Sequence, residues 1–234
     1  MSSALTESFV SQAALGPMIV PARTALLVID AQVDFIAPHG MMGLAGADLS
    51  GVAPALERIQ RLIAAARSAR ATVGFARVMT RPETDSDALK LLMARKGLPP
   101  ESVAICREAT GGADYYGVAP NSGELEVAKT LFSSFVGTGL EECLRKRGVD
   151  TLVIAGFTTE CCVDCTVRDA FHRNFNVFVV ADGCAAYSPG LHDGALNALG
   201  ANCALLVESN AVLAAWSLYA GTSAAAPDEL RPQL

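Results

Sequence analysis

Three cysteines in one short stretch are the most chemically informative residues of the sequence. The stretch GFTTECCVDCTVRDA, residues 156–170, contains Cys161, Cys162 and Cys165. Thiols at this spacing suit metal binding, thiol-disulfide exchange, or nucleophilic catalysis by one of the three. A fourth possibility is that all three are small buried residues of a helix.

The metal interpretation requires four protein ligands, or three ligands and a water. Cys162 and Cys165 provide one pair, and no second pair follows. His39, His172 and His192 are far apart in the sequence and meet only if folding brings them together. We therefore predict no metal site and no cofactor.

Two interpretations of the cysteines remain open from the residues alone. Cys162-Val-Asp-Cys165 is a C-x-x-C motif at the start of a predicted helix, where the helix dipole favours a thiolate. It lacks the aromatic and Gly-Pro neighbours of thiol-disulfide oxidoreductases. A nucleophile instead requires one cysteine at a strand-to-helix turn, with backbone N–H groups free to bind an oxyanion. Gly156 allows such a turn, and Thr158 or Thr159 can cap the helix that contains Cys162.

The elements around this stretch alternate between strand and helix signals. Continuous apolar runs predict strands that are buried on both faces of a parallel sheet. We predict a three-layer α/β/α fold with a central, mostly parallel six-stranded sheet. Residues 1–22 are expected to be an N-terminal extension and 23–234 a single domain. The predicted strands are 24–30, 71–79, 102–108, 151–157, 176–182 and 203–209, and the predicted helices 49–69, 84–95, 137–147, 161–173 and 190–200.

Ligands bind beyond the carboxyl ends of the strands in a sheet of this type. Asp30 and Asp182 each follow an apolar run, and Cys162 follows a third. Residues 107–124 are rich in Gly, Pro and Tyr, which predicts a long loop near the same site. These positions are the candidates for chemistry.

Composition excludes several classes of function. The 234 residues carry 18 Lys and Arg against 24 Asp and Glu, a net charge of -6, without a basic cluster, so nucleic acid is not an expected partner. No apolar run reaches the roughly 18 residues of a membrane span, and no membrane partner is expected. The odd number of 7 cysteines favours reduced thiols in a cytoplasmic protein. A hydrophobic content of 51% predicts a homo-oligomer, a dimer or a tetramer.

Three separated segments resemble the isochorismatase-like cysteine hydrolases, a group that includes nicotinamidase, N-carbamoylsarcosine amidohydrolase, biuret hydrolase and ureidoacrylate amidohydrolase. The resemblance extends over about residues 24 to 215, and the three motifs occur in the family's order. The segments are LLVIDAQVDF (26–35), EVAKTLFSSFVGTGLEECLRKRGVDTLVIAGFTTECCV (126–163) and TVRDAFHRNFNVFVVADGCAAY (166–187).

The resemblance implies a catalytic triad. The family's Gly-x-x-Thr-x-x-Cys-Val pattern begins at Gly156 and makes Cys162 the nucleophile, while the acid and the lysine of the family fall on Asp30 and Lys129. A thiol that is mostly protonated at pH 7 needs a base to accept its proton and a cation to favour the anion. Asp30 and Lys129 provide both. The expected reaction is attack on an amide carbonyl, formation of a thioester, and release of ammonia or an amine.

The resemblance also implies a non-proline cis peptide between Phe157 and Thr158. The N–H groups of Thr158 and Cys162 are then expected to bind the oxyanion. A thiol-disulfide oxidoreductase that uses Cys162 and Cys165 remains the alternative function.

The substrate is expected to be a small amide, carbamoyl compound or ureide, and its identity stays open. Nicotinamidases have metal-binding histidines, and residues 76–90, ARVMTRPETDSDALK, contain no histidine. Five residues are candidates for substrate contacts, namely Phe35, His39, Arg77, Tyr115 and Tyr116.

Overall fold

A parallel sheet forms the centre of the molecule. The structure is a computed structural model that describes residues 9–220. Within that range the strands are β1 (Thr24–Ile29), β2 (Thr72–Val78), β3 (Leu125–Lys129), β4 (Thr151–Phe157), β5 (Asn176–Ala185) and β6 (Leu205–Val207). These six strands pair in the order β3-β2-β1-β4-β5-β6, and every pairing is parallel. The predicted fold class is therefore confirmed.

Helices cover both faces of this sheet. One buried apolar cluster joins the helices at 52–69 and 209–217 to one face, and a second joins the helices at 140–146, 164–172 and 189–202 to the other. The strands between the clusters are apolar on both sides because both faces are excluded from water. The helices are α1 (Gln12–Leu15), α2 (Val33–Ile36), α3 (Met41–Leu44), α4 (Val52–Ala69), α5 (Asp87–Arg95), α6 (Leu140–Lys146), α7 (Asp164–His172), α8 (Pro189–Asn202) and α9 (Ser209–Ser217).

The predicted strand at residues 102–108 is wrong. Short 3-10 turns, Pro100–Val103 and Glu108–Thr110, occupy this segment instead. The Cys106 N–H donates to the Asp34 side chain at 2.7 Å and takes no place in a strand ladder. The third strand of the sheet is β3, an edge strand whose residues alternate between buried and exposed.

Part of the predicted N-terminal extension packs against the domain. Leu15 and Ile19 are fully buried in the cluster under α9. The indole N–H of Trp216 donates to the Ile19 carbonyl at 3.0 Å. The remainder of that extension, residues 1–8, lies outside the described residues, as do residues 221–234. The division into extension and domain stays a prediction.

The strand order reverses direction between β1 and β4, where the chain approaches itself closely. Gly156 has φ +136°, and a Cβ there would lie 2.2 Å from the Ile29 carbonyl oxygen. Glycine is therefore required for β4 to lie this close to β1. In open parallel sheets this reversal point is where ligands bind, beyond the carboxyl ends of the strands.

Candidate active site

A buried ion pair lies beyond the carboxyl ends of β1 and β3. Asp30 follows β1 with φ +51°, which turns the chain away from the sheet, and Lys129 is the last residue of β3. Both side chains are 0% exposed. The Lys129 ammonium donates to Asp30 Oδ2 at 2.7 Å and to the Leu131 carbonyl at 3.0 Å. The two charges that the sequence placed 99 positions apart are thus in direct contact.

The environment of this pair raises the basicity of Asp30. Burial raises the pKa of the Asp30 carboxyl above its usual value, and the opposing effects of Lys129 and of the Cys162 thiol do not cancel this. Burial is the largest single effect on Lys129 and lowers its pKa, but the interactions with Asp30 and Cys162 together outweigh it, so that the pKa of Lys129 is raised. The ammonium therefore stays protonated while the carboxylate becomes a stronger base than in water.

Cys162 lies in the turn that follows β4. This turn, Thr159–Val163, is π-helical, and the Val163 N–H donates to the Thr158 carbonyl at 3.2 Å. The peptide bond between Phe157 and Thr158 is cis. Among the turn, loop and cap hydrogen bonds of residues 9–220, none is donated by the N–H of Thr158 or of Cys162. Their predicted role as oxyanion donors stays a prediction.

The Cys162 thiol belongs to the same electrostatic group as Asp30 and Lys129. The hydrogen bond with Cys161, burial, and the charge of Asp30 raise the pKa of Cys162 well above its usual value, and Lys129 opposes them. Cys162 is 5% exposed, and the raised pKa favours its neutral thiol form. Asp30 Oδ1 has no hydrogen-bond partner of normal geometry among the described residues. Contacts of the Cys162 thiol and of the Val78 N–H with the Asp30 carboxylate lower the pKa of Asp30 without cancelling the effect of burial.

Comparison with known proteins decides the family. The sequence model described as "Isochorismatase domain" matches residues 24–211. The chain belongs to the isochorismatase family. It is 35% identical over 192 residues to the ureidoacrylate amidohydrolase RutB of Methylobacterium radiotolerans, covering 75% of this chain and 72% of that protein.

Solved structures of the isochorismatase family have the same fold. A cysteine hydrolase from Pseudomonas syringae pv. phaseolicola superimposes with a TM-score of 0.75 at 26% identity, covering 86% of this chain and 95% of its own. An isochorismatase family protein from Desulfovibrio vulgaris gives a TM-score of 0.69 at 32% identity, covering 81% and 95%. The predicted family is confirmed, and so is the predicted enzyme class, an amidohydrolase that acts on C–N bonds other than peptide bonds. These relatives give no support to the oxidoreductase alternative.

Two side chains near Cys162 were missed by the sequence analysis. The Tyr187 hydroxyl donates to the Phe35 carbonyl at 2.9 Å, and burial together with the charge of Glu160 raises the pKa of Tyr187. His192 Nδ1 lies 2.8 Å from Thr159 Oγ1, and burial lowers the pKa of His192. Tyr187 ends a quoted motif, but a single tyrosine after a strand carries no signal of its own. His192 lies on α8, which the sequence did not connect with the cysteine turn.

Three of the predicted substrate contacts are Phe35, His39 and Tyr116. The first two lie on the segment that follows Asp30, and Tyr116 lies on the segment that packs against it. Phe35 is half-buried on α2. His39 is exposed in the next loop, and its ring lies edge-on to Tyr116 at 6.1 Å between centroids. The Tyr116 N–H donates to the Ala31 carbonyl at 2.9 Å. Their contacts with substrate stay predictions.

Arg77 and Tyr115 contact each other and protein neighbours. Arg77 Nη2 pairs with Glu126 at 2.8 Å, and its guanidinium lies 5.3 Å from the centre of the Tyr115 ring. Tyr115 also packs edge-on against Phe75 at 5.6 Å. The pair with Glu126 uses Arg77 Nη2, whereas Arg77 Nε and the Tyr115 hydroxyl are buried without a hydrogen-bond partner among the described residues. Their predicted role remains untested.

Asp182 has a structural role that differs from the chemical one considered for it. Its carboxylate accepts from the Ser209 N–H and hydroxyl, each at 2.7 Å, and pairs with Arg58 at 2.7 Å. It therefore fastens the start of α9 to β5. Within residues 9–220 no three His, Cys, Asp or Glu side chains cluster as metal ligands would, and no helix there is long and apolar enough to cross a membrane.

Proposed function

We propose that this chain is a cysteine amidohydrolase in which Cys162, Asp30 and Lys129 form the catalytic triad. The observation that carries the proposal is the fully buried pair of Asp30 and Lys129, in which Asp30 Oδ1 accepts no hydrogen bond of normal geometry from the described residues. Burying two charges costs desolvation free energy, and their mutual attraction often does not recover it. A base of raised pKa beside a neutral thiol is suited to accepting the thiol proton.

The first half of the reaction forms a thioester. Asp30 accepts the Cys162 proton, and the sulfur attacks the amide carbonyl carbon. The N–H groups of Thr158 and Cys162 donate to the oxyanion of the tetrahedral intermediate. Asp30 then gives its proton to the leaving nitrogen, the C–N bond breaks, and ammonia or an amine departs. Lys129 remains charged throughout and stabilises the anionic partner of each step.

The second half of the reaction releases the acid. Asp30, again ionised, accepts a proton from a water molecule that attacks the thioester carbonyl. The C–S bond breaks, and the proton returns to the sulfur. The site is then restored with a neutral Cys162 and an ionised Asp30.

The substrate class is a small amide, carbamoyl compound or ureide. The similarity to ureidoacrylate amidohydrolases supports a ureide, which is an amide with two C–N bonds on one carbonyl. Asp30 is buried, so the reacting group must enter a site of limited size. We keep ureidoacrylate as the first compound to test.

We further propose a cytoplasmic homo-oligomer, a dimer or a tetramer. Support comes from large apolar side chains on the surface, with Leu44 77%, Val136 62% and Leu218 74% exposed. All 7 cysteines are free thiols, as a reducing compartment would keep them. Light scattering of the purified protein measures the mass of the assembly.

A panel of small amides and ureides, assayed for ammonia release, tests the function. Wild type is compared with Cys162→Ala and Asp30→Asn, and Cys143→Ala on α6 is the matched cysteine control. We expect turnover of at least one compound by wild type and by the control. Loss of one triad member typically costs several orders of magnitude in rate. Full activity of Cys162→Ala would overturn the proposal.

A further inference from the structure

Gln32 occupies the position where β1 leaves the sheet. The last pair of the ladder is Ile29 opposite Ala76, and the Asp30 N–H donates to the Ala76 carbonyl at 2.9 Å. The left-handed conformation of Asp30 then turns the main chain away, and the Gln32 N–H closes the turn on the Asp30 carbonyl at 2.8 Å. The next residue of β2 whose main-chain groups point toward β1 is Val78. Its N–H and carbonyl would have no hydrogen-bond partner in β1 unless another group took that place.

The side-chain amide of Gln32 replaces that missing main-chain partner. Gln32 Nε2 donates to the Val78 carbonyl at 2.7 Å, and Gln32 Oε1 accepts from the Val78 N–H at 2.7 Å. Gln32 is 0% exposed, so these bonds are made without competition from water. The amide thus continues the pairing of β1 with β2 by one step.

We call the two hydrogen bonds between the Gln32 amide and Val78 the clamp. Val78 connects this clamp to the proposed catalytic lysine. In the parallel register of β2 and β3, Val78 lies opposite Lys129, and the Met79 N–H donates to the Lys129 carbonyl at 2.9 Å. Asp30 and Lys129 come from strands that are not neighbours, because β2 lies between them. The end of β2 therefore sets the position of the ammonium relative to the carboxylate.

We propose that Gln32 is a positioning residue of the hydrolase, which holds Lys129 against Asp30 by fixing the end of β2. The proposal rests on the catalytic roles assigned above to Asp30 and Lys129. Gln32 contacts neither the substrate nor the reacting atoms in this account. Its effect passes through Val78.

The same amide fastens the loop beside the site. Gln32 Nε2 also donates to the Ala113 carbonyl at 2.8 Å. The Val33 and Asp34 N–H groups continue this contact, donating to the Asp114 carbonyl at 2.9 Å and the Gly112 carbonyl at 3.0 Å. One buried side chain therefore ties together β1, β2 and the loop at 104–117.

Loss of the clamp changes the charge balance at Asp30. The Val78 N–H donates to Gln32 Oε1 at 2.7 Å, and its contact with the Asp30 carboxylate lowers the pKa of Asp30. A displaced Val78 removes this effect and weakens the contact with Lys129, and both changes raise the pKa of Asp30. The titratable groups that interact with Asp30 are Lys129, Cys106, Tyr115, Cys161, Cys162 and Tyr187.

Gln32→Met, which keeps the length of the side chain and removes its amide, tests the proposal. The matched control is Gln60→Met. Gln60 is exposed on α4 and donates to the Gly117 carbonyl at 2.8 Å, so its hydrogen bond goes to the same loop and not to β2. Two readouts are used: the pH dependence of Cys162 alkylation by iodoacetamide, located by peptide mass spectrometry, and kcat and KM for the best amide of the panel.

We expect the acid limb of the alkylation profile to move to higher pH in Gln32→Met and to stay in place in Gln60→Met. A displacement of about 1 Å in a catalytic group lowers the rate by about 100-fold, so kcat should fall to that extent while KM changes little. If Gln32→Met does not fold, Gln32→Asn, which is one methylene too short to span to Val78, is measured with the same expectation.

The outcomes separate the two proposals. An unchanged profile and kcat in a folded Gln32 variant, with wild type active, overturn the positioning role alone. Equal shifts in the Gln32 and Gln60 variants also overturn it, because a loosened loop would then explain both. If Cys162→Ala retains the activity of wild type, the triad itself is wrong, whatever the alkylation profiles show.

Discussion

Neutralising one partner of the buried ion pair should destabilise the protein far more than neutralising both. The change is Lys129→Met, Asp30→Asn, or the two together. Lys129→Met leaves a carboxylate at 0% exposure without its ammonium partner, and Asp30→Asn leaves a buried ammonium without its carboxylate partner. An uncompensated buried charge of this kind costs about 3–5 kcal/mol.

The double variant should recover most of this loss. Replacing a whole buried ion pair by neutral side chains is often close to neutral for stability. Additive single effects would sum to about 6–10 kcal/mol, so the coupling between the two sites should amount to several kcal/mol. For a domain of this size, each single variant should lower Tm by about 6–20 °C. The double variant should still be inactive, because both catalytic groups are missing.

Urea unfolding, followed by fluorescence, measures these differences. Trp216 is the only tryptophan and is 1% exposed, so its emission reports loss of the core under α9. The matched control is Lys146→Met, which breaks an exposed pair with Glu142 on α6. Such pairs contribute about 0.3–0.5 kcal/mol.

Two results would refute this reasoning about the ion pair. The first is a double variant destabilised by the sum of the singles, which would mean that Asp30 and Lys129 do not interact energetically. The second is a Lys129→Met variant as stable as the Lys146→Met control, which would mean that the Asp30 carboxylate is not buried as a charge.

Three further predictions follow from the site and the fold. Cys165→Ser should retain most of the hydrolytic rate in the ammonia assay, whereas a redox enzyme would accumulate a mixed disulfide on Cys162. Because burial raises the pKa of Asp30, kcat/KM should decline on the acid side at a pH above the usual range of an aspartate; a profile that stays flat down to pH 4 would argue against Asp30 as the base. Gly156→Ala combines a strained φ of +136° with a Cβ contact of 2.2 Å and should unfold at lower urea than Gly97→Ala, which has φ +72° and open space. The backbone strain at position 156 alone costs about 1–3 kcal/mol. Equal urea midpoints for the two variants would show that β4 tolerates the contact of the new Cβ with the Ile29 carbonyl.

The sheet could largely be predicted because its central strands are apolar on both faces. The runs that became β1, β2 and β4 are continuous, and burial from both sides produces that pattern directly. The strand predicted at residues 102–108 is wrong for a related reason, because a buried loop also produces an apolar run. That segment is apolar because Cys106 and Val103 pack under a loop, whereas the edge strand β3 shows only a short alternation with Glu126 exposed.

The candidate site was predictable only where a residue type carries its own signal. Asp30 and Cys162 follow apolar runs, and Lys129 falls within a family motif, so all three could be proposed from the sequence. The role of Gln32 could not, because it depends on the left-handed turn at Asp30 that removes a ladder partner. The left-handed conformation of Asp30 gives Gln32 its proposed role, and such a conformation cannot be recognised from the periodicity or spacing of residues.

The most direct test of the account is to identify the atom that holds the acyl group during turnover. Wild type and Cys161→Ser are mixed with the best amide of the panel, quenched in acid, digested, and sequenced by tandem mass spectrometry. We predict an acyl adduct on Cys162 in both proteins, and no adduct and no product with Cys162→Ala. An adduct on Cys161 or Cys165, or steady product formation by Cys162→Ala, would contradict it.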